Sequence, residues 1–518
     1  MKTLTSYVQG RWVSGQGKPA VLVNPSTEEP LAETSTDGID WAAAVSHARD
    51  VGGPGLRAMT FAARGKMLEA LAKAIHAHRD ELLGLGIDNG GNTRGDAKFD
   101  VDGAIATLDW YARLGATLGE HVRMVDGEAL QLARSPRFVG RHVWVAREGV
   151  AVHVNAFNFP AWGLAEKAAA ALLAGMPVIS KPATSTALVA FRMMQLFVEE
   201  KLLPEGALSL VAGSAGNLLE HLGGQDVLAF TGGSSTAAML RAGKSAIANN
   251  VHVNVEADSL NAAVLGPDVN EGDDVWNQFL ADVARDVQQK TGQKCTAIRR
   301  VYVSKDKLAN VVEALKERLS AIKVGNPAGE DVTMGPVSTA QQLKDARAGI
   351  ERFESCTKVV LGGKAPIDGI GAPAGKGYFV APTLLVGESP KTSDAVHNHE
   401  VFAPVVTVMP YASAEEVMSL VAGGGGGLVA SVYSDDKDFL RTVVLGIGPF
   451  HGRVTIGSSK IAQQALPPGM VLPSLLHGGP GRAGGGEELG GRRGLAFYMQ
   501  RFALQGDRAI VEALSGKR

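Results

Sequence analysis

Between Val150 and Glu256 short apolar runs alternate with longer amphipathic ones, and this constrains the fold more than any other feature of the chain. The spacing predicts strands over 150–154, 178–181, 208–211, 227–230 and 251–256. Between them it predicts helices over 163–173, 187–199 and 235–243, with another beginning near Asn217. Strands of four or five apolar residues separated by helices describe a parallel sheet with crossover helices. Such a sheet is an α/β architecture that often binds nucleotides at its carboxyl edge.

The theme recurs downstream. A long helix precedes Cys295, strands are expected over 300–303, 359–361 and 405–409, and a helix over 309–319. These elements form a second α/β unit, with the boundary just after Glu256, near 258–261. Upstream, Met67, Leu68, Leu71, Ala74 and Ile75 recur at helical spacing within 62–83, and a further helix spans 101–114. The valine-rich segment 138–152 reads as edge strand and could reach another subunit.

A chain of 518 residues exceeds one ordinary core, which agrees with two units. Its 51 basic and 53 acidic side chains leave a net charge of -2, so no basic surplus points to nucleic acid or a membrane surface. Two cysteines suit a reducing compartment. With no signal-like segment at the start and no apolar run of spanning length, a cytoplasmic protein is expected. The 64 glycines concentrate at 423–427 and 477–494 without a fixed period.

Three tempting motifs fail. RAGKS at 241–245 would end a phosphate-binding loop, but Ala238 stands where its first glycine belongs. HEVFA at 399–403 lacks the second histidine of a zinc site, so no metal is expected. No GxGxxG follows a predicted strand. Cys295 is different: Lys290, Lys294 and other polar residues surround it, and Gly292 permits a tight turn. A lone cysteine is usually a buried, inert thiol; nearby lysine would favour the thiolate, the form that attacks carbonyl carbon, so both readings stand. Cys356 has no such loop and reads as structural. Glu256 ends a strand whose alternate face carries His252 and Asn254; it is either solvated or turned toward a cleft. Asn158, ahead of Pro160, is either a turn residue or an amide donor for a substrate oxygen.

The segments NAFNFPAW, SKPAT, FTGGSS, VEADSLN, TGQKCTA and EVFAPV, in this order over most of the chain, resemble the aldehyde dehydrogenase superfamily. The resemblance implies two parallel-sheet α/β domains plus a β-strand oligomerisation arm: a cofactor-binding domain over 1–129 and 149–257, a catalytic domain over 258–475, and arm and C-terminal segments over 130–148 and 476–518. It implies that Cys295 attacks the aldehyde, Asn158 holds the oxyanion, and Glu256 activates the water that hydrolyses the thioester. Cofactor positions would be Lys181 at the adenosine ribose, Gly232 and Ser234 at the pyrophosphate, and Glu400 and Phe402 at the nicotinamide end.

Where this sequence departs from the pattern, Gly233 replaces the usual serine after FTG and Ala403 a usual glycine. Thr184 stands where NAD-preferring members often carry glutamate, which favours NADP over NAD because nothing there repels a 2'-phosphate. VEADSLN and the glycine-rich tail resemble a branch oxidising CoA-linked semialdehydes from aerobic aromatic catabolism. Relatives in the phenylacetate pathway carry a C-terminal hydratase, for which a chain ending at Arg518 has no room, so the expectation is a stand-alone, hydrolytic, homodimeric enzyme. CoA-acylating chemistry, a general aliphatic aldehyde dehydrogenase and a non-enzymatic fold member are the alternatives. Retention of Glu256 argues against the first, since thiolysis needs no water-activating base.

Overall fold

The computed structural model describes residues 1–391 and 394–515. Its first large sheet has seven strands in the spatial order His252–Glu256, Val227–Thr231, Ala151–Val154, Val178–Lys181, Leu208–Leu210, Ser6–Val8, Arg11–Val13. The first five are parallel, and an antiparallel hairpin from the N-terminus covers the far edge. The chain builds outward from Ala151–Val154 in one direction and then restarts beside it with Val227–Thr231, which makes that junction a topological switch point. Thr231 is registered with Glu256 and Val154 with Lys181, so the strands release their carboxyl ends side by side.

Helices cover both faces. Phe61–Ala77, Arg94–Leu118, Pro160–Ala174 and Leu188–Glu199 bury one apolar cluster, and Trp41–His47 contributes to a second on the opposite face. Two glycines let the first pair of helices approach closely: a methyl on Gly115 would meet the Phe61 carbonyl and the Gly65 Cα. The second seven-stranded sheet runs Lys358–Leu361, Thr383–Val386, Val405–Tyr411, Arg300–Ser304, Ala262–Leu265, Gly427–Tyr433, His451–Gly457. All its pairings are parallel except the first. It is likewise sandwiched between two apolar clusters. Among the described residues, no helix is long and apolar enough to cross a membrane.

Several elements differ from the sequence expectation. The helix over 62–83 is two helices, Phe61–Ala77 and Arg79–Gly90, because His78 leaves helical geometry. The helix expected near Asn217 is one 3-10 turn, Leu218–His221. The valine-rich run 138–152 divides into Phe138–Ala146, which leaves the body, and Ala151–Val154, which is central to it. Phe138–Ala146 is the middle of a three-stranded antiparallel sheet with Met124–Gln131 and Met499–Asp507. That sheet begins ahead of residue 130, where the sequence placed the arm's start: the mixed segment 124–131 has no strand alternation until a partner defines its faces.

Because Gly115 sits where two helices touch, Gly115→Val should overpack that contact by about 1–3 kcal/mol. Thermal unfolding should show a lower Tm with the secondary structure of the folded state retained.

Candidate active site

The loop carrying Cys295 joins the helix Asp274–Gln288 to the strand Arg300–Ser304, so it stands at the amino edge of the second sheet. Three successive residues, Lys290, Thr291 and Gly292, have φ of 56°, 56° and 66°. Left-handed backbone at two non-glycine residues in a row is unfavourable and persists only where surrounding bonds enforce it. Here Asp96 accepts from the Lys290 N–H at 2.9 Å, the Thr291 hydroxyl donates to the Gly335 carbonyl at 3.0 Å, and Gln293 Oε1 accepts from the Ser338 N–H at 3.1 Å. A Cβ on Gly292 would run into the Ala403 carbonyl, so only glycine fits between this loop and the EVFAPV segment. Asn261 then donates from Nδ2 to both the Cys295 and Ala297 carbonyls at 2.8 Å.

Asn158 follows the strand Ala151–Val154, and Glu256 ends the strand His252–Glu256. Both come from the carboxyl edge of the first sheet and meet Cys295 across the gap between the sheets. Asn158 Nδ2 gives one hydrogen to the Gln293 carbonyl at 2.9 Å, and its second faces the cavity. The Cys295 backbone N–H donates to no acceptor among the described residues. Asn158, Glu256 and Cys295 line two cavities at once. One, of about 450 Å³, runs past Phe157, Gly232, Gly233, Asp258, Glu400 and Phe402. The other, of about 40 Å³, is walled by Phe99, Phe159 and Trp162, three rings in edge-to-face contact, with Val471 and His477.

The charges around the thiol differ from the sequence reading. Lys294 Nζ is bonded to Asp286 at 2.6 Å and Gln289 at 2.8 Å, and Lys290 Nζ lies 4.7 Å from the Phe159 ring centre, facing Asp96 and Asp100. Neither stabilises a thiolate, because the left-handed turn points both side chains behind the loop. Cys295 is pushed well up by burial and then by the Glu256 carboxylate. For Glu256, burial raises the pKa, but His477 and Lys167 lower it further, to about 2. The resting pair is therefore a protonated thiol beside an ionised carboxylate.

Two groups that the sequence reading passed over complete this centre. His477 Nε2 is 3.1 Å from Glu256 and 3.9 Å from Cys295 Sγ. Lys167 Nζ donates to Thr231 at 2.8 Å and lies 3.1 Å from Glu488 and 3.4 Å from Glu166. The signal for Lys167 was in the sequence, since Glu166 and Lys167 interrupt an otherwise apolar helix.

Of the other predicted positions, Gly232, Glu400 and Phe402 line the larger cavity, whereas Lys181, Thr184 and Ser234 do not. Lys181 Nζ donates to the Pro182 carbonyl at 3.2 Å, and burial lowers its pKa. Thr184 opens the adjacent 3-10 turn. The Gly232 N–H is bonded to the Glu256 carbonyl at 3.1 Å, and both donors of Ser234 are held by Asp258 at 3.0 and 2.6 Å. The amino end of the helix Ser234–Arg241 is thus capped by a carboxylate that sequence reasoning had placed only in the linker. Glu400 accepts from the Ser259 N–H at 3.0 Å and pairs with Arg299 at 3.3 Å, and burial raises it to about 7. Phe402 lies against Arg299 and Phe157.

The sequence pattern described as "Aldehyde dehydrogenase family" matches residues 12–502. The chain belongs to the aldehyde dehydrogenase family. It is an oxidoreductase acting on aldehydes. It is similar to the 3,4-dehydroadipyl-CoA semialdehyde dehydrogenase of Aromatoleum evansii, at 43% identity over 477 residues, 92% of this chain and 93% of that protein. In fold it is similar to an aldehyde dehydrogenase from Bacillus cereus in its NAD+ complex, with TM-score 0.84 and 23% identity over 98% of this chain and 97% of that one. A 3,6-anhydro-L-galactose dehydrogenase in complex with NADP has TM-score 0.84 and 21% identity over 97% and 100% of the two chains. The larger cavity suits a dinucleotide: it opens beside the carboxyl edge at the switch point, with Gly232 and Gly233 on one wall and the Phe402 ring on another.

With its pKa pushed up, Cys295 should be alkylated by iodoacetamide slowly at pH 7 in the dehydrogenase without cofactor. The rate should climb with pH beyond 9, as followed by mass spectrometry.

Proposed function

We propose that this aldehyde dehydrogenase oxidises a CoA-linked semialdehyde, 3,4-dehydroadipyl-CoA semialdehyde, to the free acid with NADP as hydride acceptor. The observation that carries the mechanism is one cysteine shared by two cavities, with an ionised carboxylate beside it. The similarity to the Aromatoleum evansii enzyme supports the substrate.

The aldehyde enters by the aromatic-walled cavity. As the Cys295 sulfur bonds to the carbonyl carbon, its proton passes to Glu256, whose Oε1 is buried and without a hydrogen-bond partner. The carbonyl oxygen becomes an oxyanion held by the second Asn158 hydrogen and the Cys295 N–H. NADP, when bound, would supply the hydride acceptor. Lys181 and Thr184 would hold its adenosine ribose with the 2'-phosphate, Gly232 and Ser234 its pyrophosphate, and Glu400 and Phe402 its nicotinamide end. With hydride lost from its carbonyl carbon, the acyl group is a thioester on Cys295; Glu256 passes the thiol proton to bulk water and, ionised again, takes a proton from the water that cleaves the thioester and returns it to the departing sulfur. The exposed apolar residues Leu130, Phe138 and Phe502 on the three-stranded sheet, with Leu132 in its adjoining turn, support its use as the arm of a homodimer.

Three measurements test this reading. Cofactor reduction at 340 nm, without free CoA, should be fastest with a CoA-linked semialdehyde and NADP. Activity that appears only when free CoA is added would replace water by thiol as the acyl acceptor. Asn158→Ala should lower kcat by about 100- to 1000-fold. Asp258→Ala, by releasing the helix terminus, should tighten NADP binding about 2- to 10-fold in a fluorescence titration.

A further inference from the structure

Arg453 lies on the edge strand His451–Gly457 of the second sheet, and His477 lies in the short strand Leu476–Gly478 that follows it. Arg453 Nη1 is 3.4 Å from His477 Nδ1 and donates to the Leu476 carbonyl at 3.4 Å. A guanidinium offers only hydrogens, so Nδ1 must accept. The ring then carries its single proton on Nε2, the nitrogen 3.1 Å from Glu256 Oε2 and 3.9 Å from Cys295 Sγ. His477, with 3% of its side chain exposed, is therefore a fixed donor to the carboxylate through Nε2, with no lone pair turned toward the thiol.

We propose that Arg453 and His477 are positioning residues that act in relay: the arginine fixes the tautomer of the histidine, and the histidine holds Glu256 ionised and oriented with Oε1 toward the Cys295 proton. This assigns to a histidine and an arginine from the end of the chain the activating role that Lys290 and Lys294, turned away, do not perform. It rests on the reading of Glu256 as the base. The groups facing Glu256 are Cys295, His477, Lys167, Glu166 and Glu488, with Arg453 behind the ring. Lys167 is already held by Thr231 and shared with two other carboxylates, which leaves His477 as the donor aimed at Glu256 alone.

The test is the pH profile of kcat/KM for the full-length enzyme and its His477→Phe, His477→Gln, Arg453→Met and Glu256→Gln variants, with NADP binding measured on each. Removing a donor from a carboxylate raises its pKa, so His477→Phe should move the acid limb up by about one pH unit. It should also lower kcat at least about tenfold with aldehyde KM little changed. His477→Gln, whose amide donates without titrating, should bring the limb back toward that of the native enzyme. Arg453→Met should shift it partway, as the ring proton is no longer confined to Nε2. An acid limb that stays in place in both His477→Phe and Arg453→Met, with only Tm or KM altered, overturns the relay. So does a His477→Gln protein that binds NADP normally but keeps the shifted limb. Should His477→Phe fail to fold, the Gln and Arg453→Met variants decide alone. Turnover persisting in Glu256→Gln would overturn the base assignment itself. An inactive Glu256→Gln beside an unmoved limb overturns the relay only.

Discussion

The site depends on the left-handed turn Lys290–Gly292. Three residues in that conformation reverse the chain just before Cys295 and turn two lysines into the protein, leaving the thiol at the cleft floor. The conformation is opposed by local sterics at Lys290 and Thr291, and it is held by bonds from distant segments: Asp96 on a helix of the first unit, Gly335 and Ser338 ahead of the helix Ala340–Phe353 in the second, Asn158 from the facing sheet. The nucleophile's position is therefore a property of the assembled protein. Gly292, pressed on the Ala403 peptide, ties the same turn to the segment carrying Glu400 and Phe402.

Burial acts in opposite directions on the two reacting groups. It disfavours the charge on both Cys295 and Glu256, yet only Glu256 has His477 and Lys167 to counter it. The proton stays on sulfur until an electrophile arrives, and the acceptor is already charged. A thiol kept neutral between turnovers also resists alkylation and oxidation, which act on thiolates.

Local periodicity made the two sheets legible, because parallel strands buried on both faces read as short apolar runs whatever surrounds them. Cys295, Glu256 and Asn158 stand at chain reversals that strand and helix patterns predict, but those patterns left each open between a structural and a chemical role, and the family resemblance singled them out. What remained hidden depends on direction in space. That Lys290 and Lys294 turn away, that Asp258 caps the helix Ser234–Arg241, and that Met124–Gln131 joins the arm all follow from contacts between segments that no local pattern pairs or from an unusual φ. His477 gave no local sign, since its meaning comes from Glu256, more than two hundred positions earlier in the chain.

The order of the chain carries a consequence for its synthesis. Glu256, Asn158 and Cys295 lie in its first three-fifths, but His477 and Glu488 reach them only through the glycine-rich segment near the end, and Met499–Asp507 completes the three-stranded sheet later still. A ribosome-bound chain can form most of both large sheets while its thiol still lacks its finished electrostatic surroundings. Reactivity at Cys295 is thereby tied to synthesis of the segment that carries His477 and Glu488, and a chain stopped before it would keep much of the fold without the arrangement that readies Glu256.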